Sequence, residues 1–173
     1  MPVQTGRSEA AIEIVAVDPR IPEAHELIQE LSEELARRYD FVDDGSGDFK
    51  PEDALVPRSV FVIGRVGNRA VACGAFRPLQ RDVAEIKRMF VVRDCRGRGY
   101  SKAVLTELER LARQAGYTAV RLETGDRQPE AIALYERSGY TRIPNFGIYA
   151  RSESSLCFEK RLLTPAEYPK FET

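Results

Sequence analysis

Residues 83–124 constrain the fold of this chain more than any other stretch. The run "VAEIKRMFVV" at 83–92 has the apolar, β-branched character of a strand, and "TAVRLET" at 118–124 has it again. Between them, Val104, Leu105, Leu108, Leu111 and Ala112 recur at spacings of three and four, which predicts an amphipathic helix from about Gly99 to Ala115, with Gly116 as its stop. A strand, a crossover helix and a second strand form a βαβ unit. Residues 85–92 and 118–124 are therefore expected to lie parallel in one sheet.

The flanking segments extend that sheet. Residues 11–17, "AIEIVAV", suit a short strand ended by Asp18-Pro19. In "PEAHELIQELSEELARRYD" the positions Ala24, Leu27, Ile28, Leu31, Leu35 and Ala36 describe one buried helical stripe. The stretch 40–58, rich in Asp, Gly and Pro, is expected to be an exposed loop, mobile or facing a ligand. Two β-rich runs around Gly67-Asn68 predict an antiparallel hairpin, Pro129 and Gly139 bracket a further helix, and strands are expected near 140–150 and 155–162. The order β, α, ββ, βαβ, α, ββ points to one α/β domain over 1–173, helices packed on a central sheet whose first half is antiparallel.

Composition removes several function classes. Twenty-six basic residues against 27 acidic ones give no overall field to attract nucleic acid or an anionic membrane. Cys73, Cys95 and Cys157 are widely spaced, form no CxxC, and suit a reducing cytoplasm better than a disulfide framework or a zinc site. No apolar run reaches the roughly 20 residues of a membrane span, and the first residues lack the order of a signal peptide, so a cytoplasmic protein is expected. The single histidine, His25, lies in the first helix and is expected at the surface. The acidic loop after Asp40 places Val42 and Pro51 where a calcium loop needs oxygen ligands.

The helix at 99–115 opens on "RDCRGRGYSK", where two glycines cost helix stability and four basic residues crowd together. A glycine turn from strand to helix exposes unpaired N–H groups at the positive end of the helix dipole, a natural phosphate site. Gly97 and Gly99 would admit a pyrophosphate to the main chain, and Arg96, Arg98 and Lys102 would neutralise it. A solvated basic turn is the plain alternative. The pattern is neither G-x-x-x-x-G-K-[ST] nor G-x-G-x-x-G, and neither repeated RGG units nor stacking aromatics accompany it, so a different phosphorylated ligand is required.

Arg96-Gly97-Arg98-Gly99-Tyr100-Ser101 resembles the acyl-CoA-binding motif of the GNAT superfamily of N-acetyltransferases, with Ser101 standing where the family has Gly or Ala. A second block, "QPEAIALYERSGY", is similar to the family's next conserved stretch, with Gln128 where Asn is frequent, then Ala131, Leu134, Tyr135, Gly139 and Tyr140. The resemblance spans roughly 83–140 and implies a three-layer fold, with a mixed, mostly antiparallel sheet splayed at a parallel strand pair and flanked by helices. It implies transfer of an acetyl group from acetyl-CoA, as cosubstrate and without metal, to a primary amine, with a small-molecule acceptor and a possible homodimer.

The same resemblance distributes the roles. Arg96, Gly97, Arg98, Gly99, Tyr100, Ser101 and Lys102 would hold the pyrophosphate, and the backbone of Met89, Phe90 and Val91, with Gln128, would hold the coenzyme arm. Glu85 would be the base, although pairing with Lys87 on the same strand face is an equal alternative, and Glu123 beside Arg121 is the reserve. Tyr135 would protonate the departing thiolate, against the alternative of a core aromatic. Tyr39, Phe41, Arg77 and Tyr149 would line the acceptor side, where Arg77 suggests a carboxylate-bearing amine. Nothing in the sequence activates Cys73 or Cys95, which favours direct transfer. A non-catalytic acyl-CoA sensor or interaction domain, and a lysine or N-terminal acetyltransferase, remain the other readings.

Overall fold

The computed structural model describes residues 11–39 and 49–163. In chain order these form β1 (Glu13–Ala16), α1 (Pro22–Tyr39), a 3-10 turn at Pro51–Ala54, β2 (Val60–Val66), β3 (Arg69–Gln80) and β4 (Val83–Val91). Then follow α2 (Tyr100–Gln114), β5 (Ala119–Gly125), α3 (Pro129–Arg137), β6 (Thr141–Ile143) and β7 (Ser155–Arg161). The strands build one seven-stranded sheet in the order β1-β2-β3-β4-β5-β7-β6. Only β4 and β5 are parallel, as the βαβ pattern requires. The remaining neighbours are antiparallel.

Side chains alternate between the faces of a strand, and that alternation sorts the layers. On one face α2 brings Val104, Leu105 and Leu108 onto the sheet, and α3 brings Tyr135 against Phe158. On the other face α1 buries Ala24, Leu27 and Leu31 against β3 and β4. The fully buried Phe61, Phe76 and Phe158 anchor the interior, where truncation to alanine typically costs about 3–5 kcal/mol each.

Two expectations are corrected. The strand foreseen over 140–150 ends at Ile143, because Pro144 has no N–H to continue the ladder; residues 147–149 form a short 3-10 turn instead. Of the loop foreseen over 40–58, residues 40–48 lie outside the described residues and 55–58 are exposed as foreseen, but Phe49 and Ala54 are packed. Phe49 is 2% exposed, Ala54 is buried, and the 3-10 turn between them places Asp53 over the sheet. His25 is exposed, as foreseen.

Candidate active site

The site is built where the parallel pair parts. Cα partners across β4 and β5 run from Val83–Ala119 to Ile86–Leu122 and stop there, while β4 continues to Val91 and β5 to Gly125. A bulge explains the parting: the β3–β4 register shifts between Cys73 and Ala75, opposite Arg88, whose φ of 58° lies in the left-handed region. For a bulky residue that conformation costs about 1–3 kcal/mol. Beyond it, Phe90 and Val91 pair with Cys73 and Ala72 of β3 and have no ladder partner in β5, leaving that edge available to a polar arm.

At the end of β4 the chain turns through Gly97 and Gly99, with φ of 75° and 80°, into α2. A β-carbon at either glycine would meet nothing within 4 Å, so the glycines serve the backbone conformation and leave the turn open in front of the helix. The first intrahelical bond runs from the Ala103 N–H to the Gly99 carbonyl at 3.1 Å; the N–H groups ahead of it have no carbonyl within the helix to pair with. Arg98 and Lys102 are exposed beside them, and Ser101 is half-buried. Tyr100 points its ring into the core, so it offers only backbone to a ligand. Arg96 is already engaged: its guanidinium donates to the Val91 carbonyl at 2.9 Å and to Glu34 of α1 at 2.9 Å, and lies over the Phe90 ring.

Glu85 does not pair with Lys87. It is 3% exposed and is gripped from the adjacent strand by Arg77, whose Nε and Nη2 both reach Oε1 at 3.0 Å. Its Oε2 has no hydrogen-bond partner among the described residues. Arg77 is held on its far side by Asp53 at 2.8 Å, and Asp53 in turn accepts from the Lys50 N–H at 2.9 Å. Lys87 instead donates to the hydroxyl of Tyr149, and Arg121 pairs with Glu159 rather than with Glu123.

Tyr135 and Tyr140 lie with ring centroids 5.7 Å apart but differ in their hydroxyls. Tyr140 donates to Glu109 at 3.0 Å, whereas the Tyr135 hydroxyl makes no hydrogen bond to a described residue. Burial, aided by the nearby Glu123 charge, pushes the Tyr135 phenol well above its ordinary range, so it keeps its proton. Burial also pushes the Cys73 thiol up to about 12, which removes it as a nucleophile near neutral pH.

A model of the acetyltransferase (GNAT) family matches residues 23–140. The chain belongs to that family. It is 38% identical over 103 residues to an IAA acetyltransferase of Azospirillum brasilense, a match covering 59% of this chain and 67% of that relative. Its fold superposes with a TM-score of 0.73 on a Klebsiella pneumoniae protein described as an acyl-CoA N-acyltransferase, at 29% identity, covering 88% of this chain and 98% of the other. A GNAT acetyltransferase of Elizabethkingia anophelis with acetyl-CoA bound shares the fold, with a TM-score of 0.64 at 15% identity over 87% and 98% of the two chains. This chain is accordingly an acyltransferase of a family that uses acetyl-CoA. Among its described residues no helix is long and apolar enough to cross a membrane.

The GNAT cleft also engages residues that sequence reasoning passed over. The last turn of α1 spans the mouth between the parted strands. Glu34 binds Arg96 at the end of β4, and Arg38 pairs with Glu130 and donates to the Arg127 carbonyl at 3.1 Å beyond β5. Burial alone would raise the Glu34 carboxyl, but Arg96 and Arg38 together hold it below the usual range. The Tyr39 hydroxyl accepts from the Arg127 N–H at 3.1 Å and sits over Gly125, where a β-carbon would lie 1.7 Å from it. Gln128 starts α3 beside the same glycine. Phe41 lies outside the described residues. Glu34, Asp53 and Arg88 carried no local signal: each is an ordinary charged residue whose partner is remote in sequence.

Proposed function

We propose that this GNAT enzyme transfers the acetyl group of acetyl-CoA directly to a primary amine of a small molecule in a ternary complex. The observation that carries the reading is the parting of β4 from β5 after Ile86 and Leu122, directly upstream of the Gly97–Gly99 turn. The open β4 edge at Met89–Val91 suits the amide-bearing arm of the coenzyme, and the exposed Arg98 and Lys102 with the α2 N–H groups suit its phosphates. Gln128, at the start of α3 and beside Gly125 at the end of β5, supports a role in holding the same arm. The side chain of Arg96 braces the cradle through Glu34.

Glu85 acts as the base. Arg77 stabilises the anionic carboxylate through Oε1, and Oε2 takes a proton from the acceptor's ammonium, directly or through one water. The amine nitrogen then forms a bond to the thioester carbonyl carbon, the carbon–sulfur bond breaks, and the thiolate receives a proton from Tyr135, whose phenolate regains one as the acylated nitrogen sheds its second proton through solvent. A small-molecule acceptor accords with the Azospirillum relative named for IAA.

Calorimetry with acetyl-CoA on wild type and on Gly99→Glu tests the coenzyme site, with circular dichroism to check folding. Binding lost in a folded variant supports the cradle. Thiol release across an amine panel then separates an enzyme from a sensor that binds without turnover, and no coenzyme binding by folded wild type sinks the reading.

A further inference from the structure

Arg77 was expected to meet a carboxylate on the acceptor, but its charge is taken by Glu85 and Asp53. Arg20, Arg38, Arg65, Arg69, Arg96, Arg110 and Arg121 likewise each have an acidic partner. Arg88 differs. It is half-buried, and among the described residues no carboxylate pairs with it. Its Nη2 donates to the Phe49 carbonyl at 3.1 Å, its guanidinium lies 5.5 Å from the Phe49 ring, and its Nε is buried with no hydrogen-bond partner. A desolvated cation with an unused donor is costly unless an anion completes it.

The position matters as much as the missing partner. Arg88 occupies the left-handed bulge just beyond the last paired residues of β4 and β5, and its side chain meets Phe49 there. Arg77 also lies over the Phe49 ring, at 5.7 Å, which puts Arg88 in the same neighbourhood as the Arg77–Glu85 pair and the Glu85 Oε2. We infer that Arg88 is an anion anchor for the acceptor, and that the amine acetylated carries a carboxylate, as an amino acid does. The anchor rests on the acetyl-transfer reading above: Arg88 receives the carboxylate, and Glu85 receives the proton of the ammonium.

The first test needs no turnover. In a 15N–1H spectrum of arginine side chains, with Arg88 assigned by its loss in Arg88→Lys, the CoA complex is titrated with N-acetylglycine and with N-acetylglycinamide. The Arg88 Nε–H resonance should move with the acid and stay with the amide; equal response to both, or none to the acid, overturns the anchor. The second test compares kcat/KM for free amino acids and their amides. Arg88→Gln should lower the values for the acids by about tenfold to a hundredfold and leave those for the amides, as loss of charge-assisted hydrogen bonds predicts, with partial rescue in Arg88→Lys. Arg88→Gly, which suits a φ of 58°, should lose the acid preference while remaining folded. Equal losses on acids and amides overturn the proposal. Failure of every amine to release thiol counts against acetyl transfer itself, and the Nε titration then decides the anchor alone.

Discussion

Two buried glutamates occupy two regions of this molecule and have opposite fates. Glu109, 6% exposed on α2, has both oxygens satisfied: Lys160 of β7 donates to Oε1 at 2.8 Å and Tyr140 to Oε2 at 3.0 Å. Glu85 is buried as deeply, yet both contacts from Arg77 converge on Oε1, and among the described residues Oε2 is left over. A saturated carboxylate ties a helix to a sheet, whereas a half-saturated one keeps an acceptor in reserve. Burial alone therefore does not separate a structural carboxylate from a chemical one; the count of satisfied lone pairs does.

The sharpest way to break this contrast is to substitute both. Glu85→Gln should lower kcat by about 10²–10⁴-fold, the usual range for a general base, with little change in melting temperature. Glu109→Gln should do the reverse, leaving kcat near wild type while costing about 1–3 kcal/mol in denaturant unfolding, because Lys160 loses its counter-charge and is partly solvated. If both substitutions affect only stability, Glu85 is structural and the contrast fails.

The neighbouring tyrosines extend the comparison at smaller amplitude. Tyr135→Phe removes a hydroxyl that bonds to no described residue, so stability should hold while kcat falls by about tenfold or more. Tyr140→Phe removes the donor to Glu109 and should cost about 1–2 kcal/mol with activity retained. Turnover and unfolding measured on both variants check the pair.

A subtler effect concerns alkaline pH on the cleft side. The Cys73 thiol is raised by burial from 9.0 to about 12, so the folded state holds a proton that the unfolded state releases first. The stability it contributes is complete below pH 9 and is lost as pH rises through about 12. Cys73→Val should therefore flatten the decline in unfolding free energy across that window; an unchanged slope would place the effect elsewhere.

Much of the framework was legible because it is written in local periodicity and turn chemistry. The stripe from Val104 to Ala112, and Gly97 and Gly99 ahead of it, specify a helix, its start and the open turn within a few residues of one another. Pro144 is equally visible, and it ends at Ile143 the strand foreseen to continue. What stayed illegible was pairing. Asp53 reaches Arg77 across 24 residues and Glu34 reaches Arg96 across 62, and no spacing rule connects them.

The sequence by itself determined the βαβ unit, the glycine cradle and the helical stripes, since hydrophobic period, φ preference and dipole act between near neighbours. Only the tertiary structure decided that Arg77 belongs to Glu85 and Asp53, and that among the described residues one oxygen of Glu85 stays unused and Arg88 meets no carboxylate. Those outcomes depend on which charges meet when distant strands and loops pack over one sheet, and burial then makes each pairing, or its absence, energetically consequential.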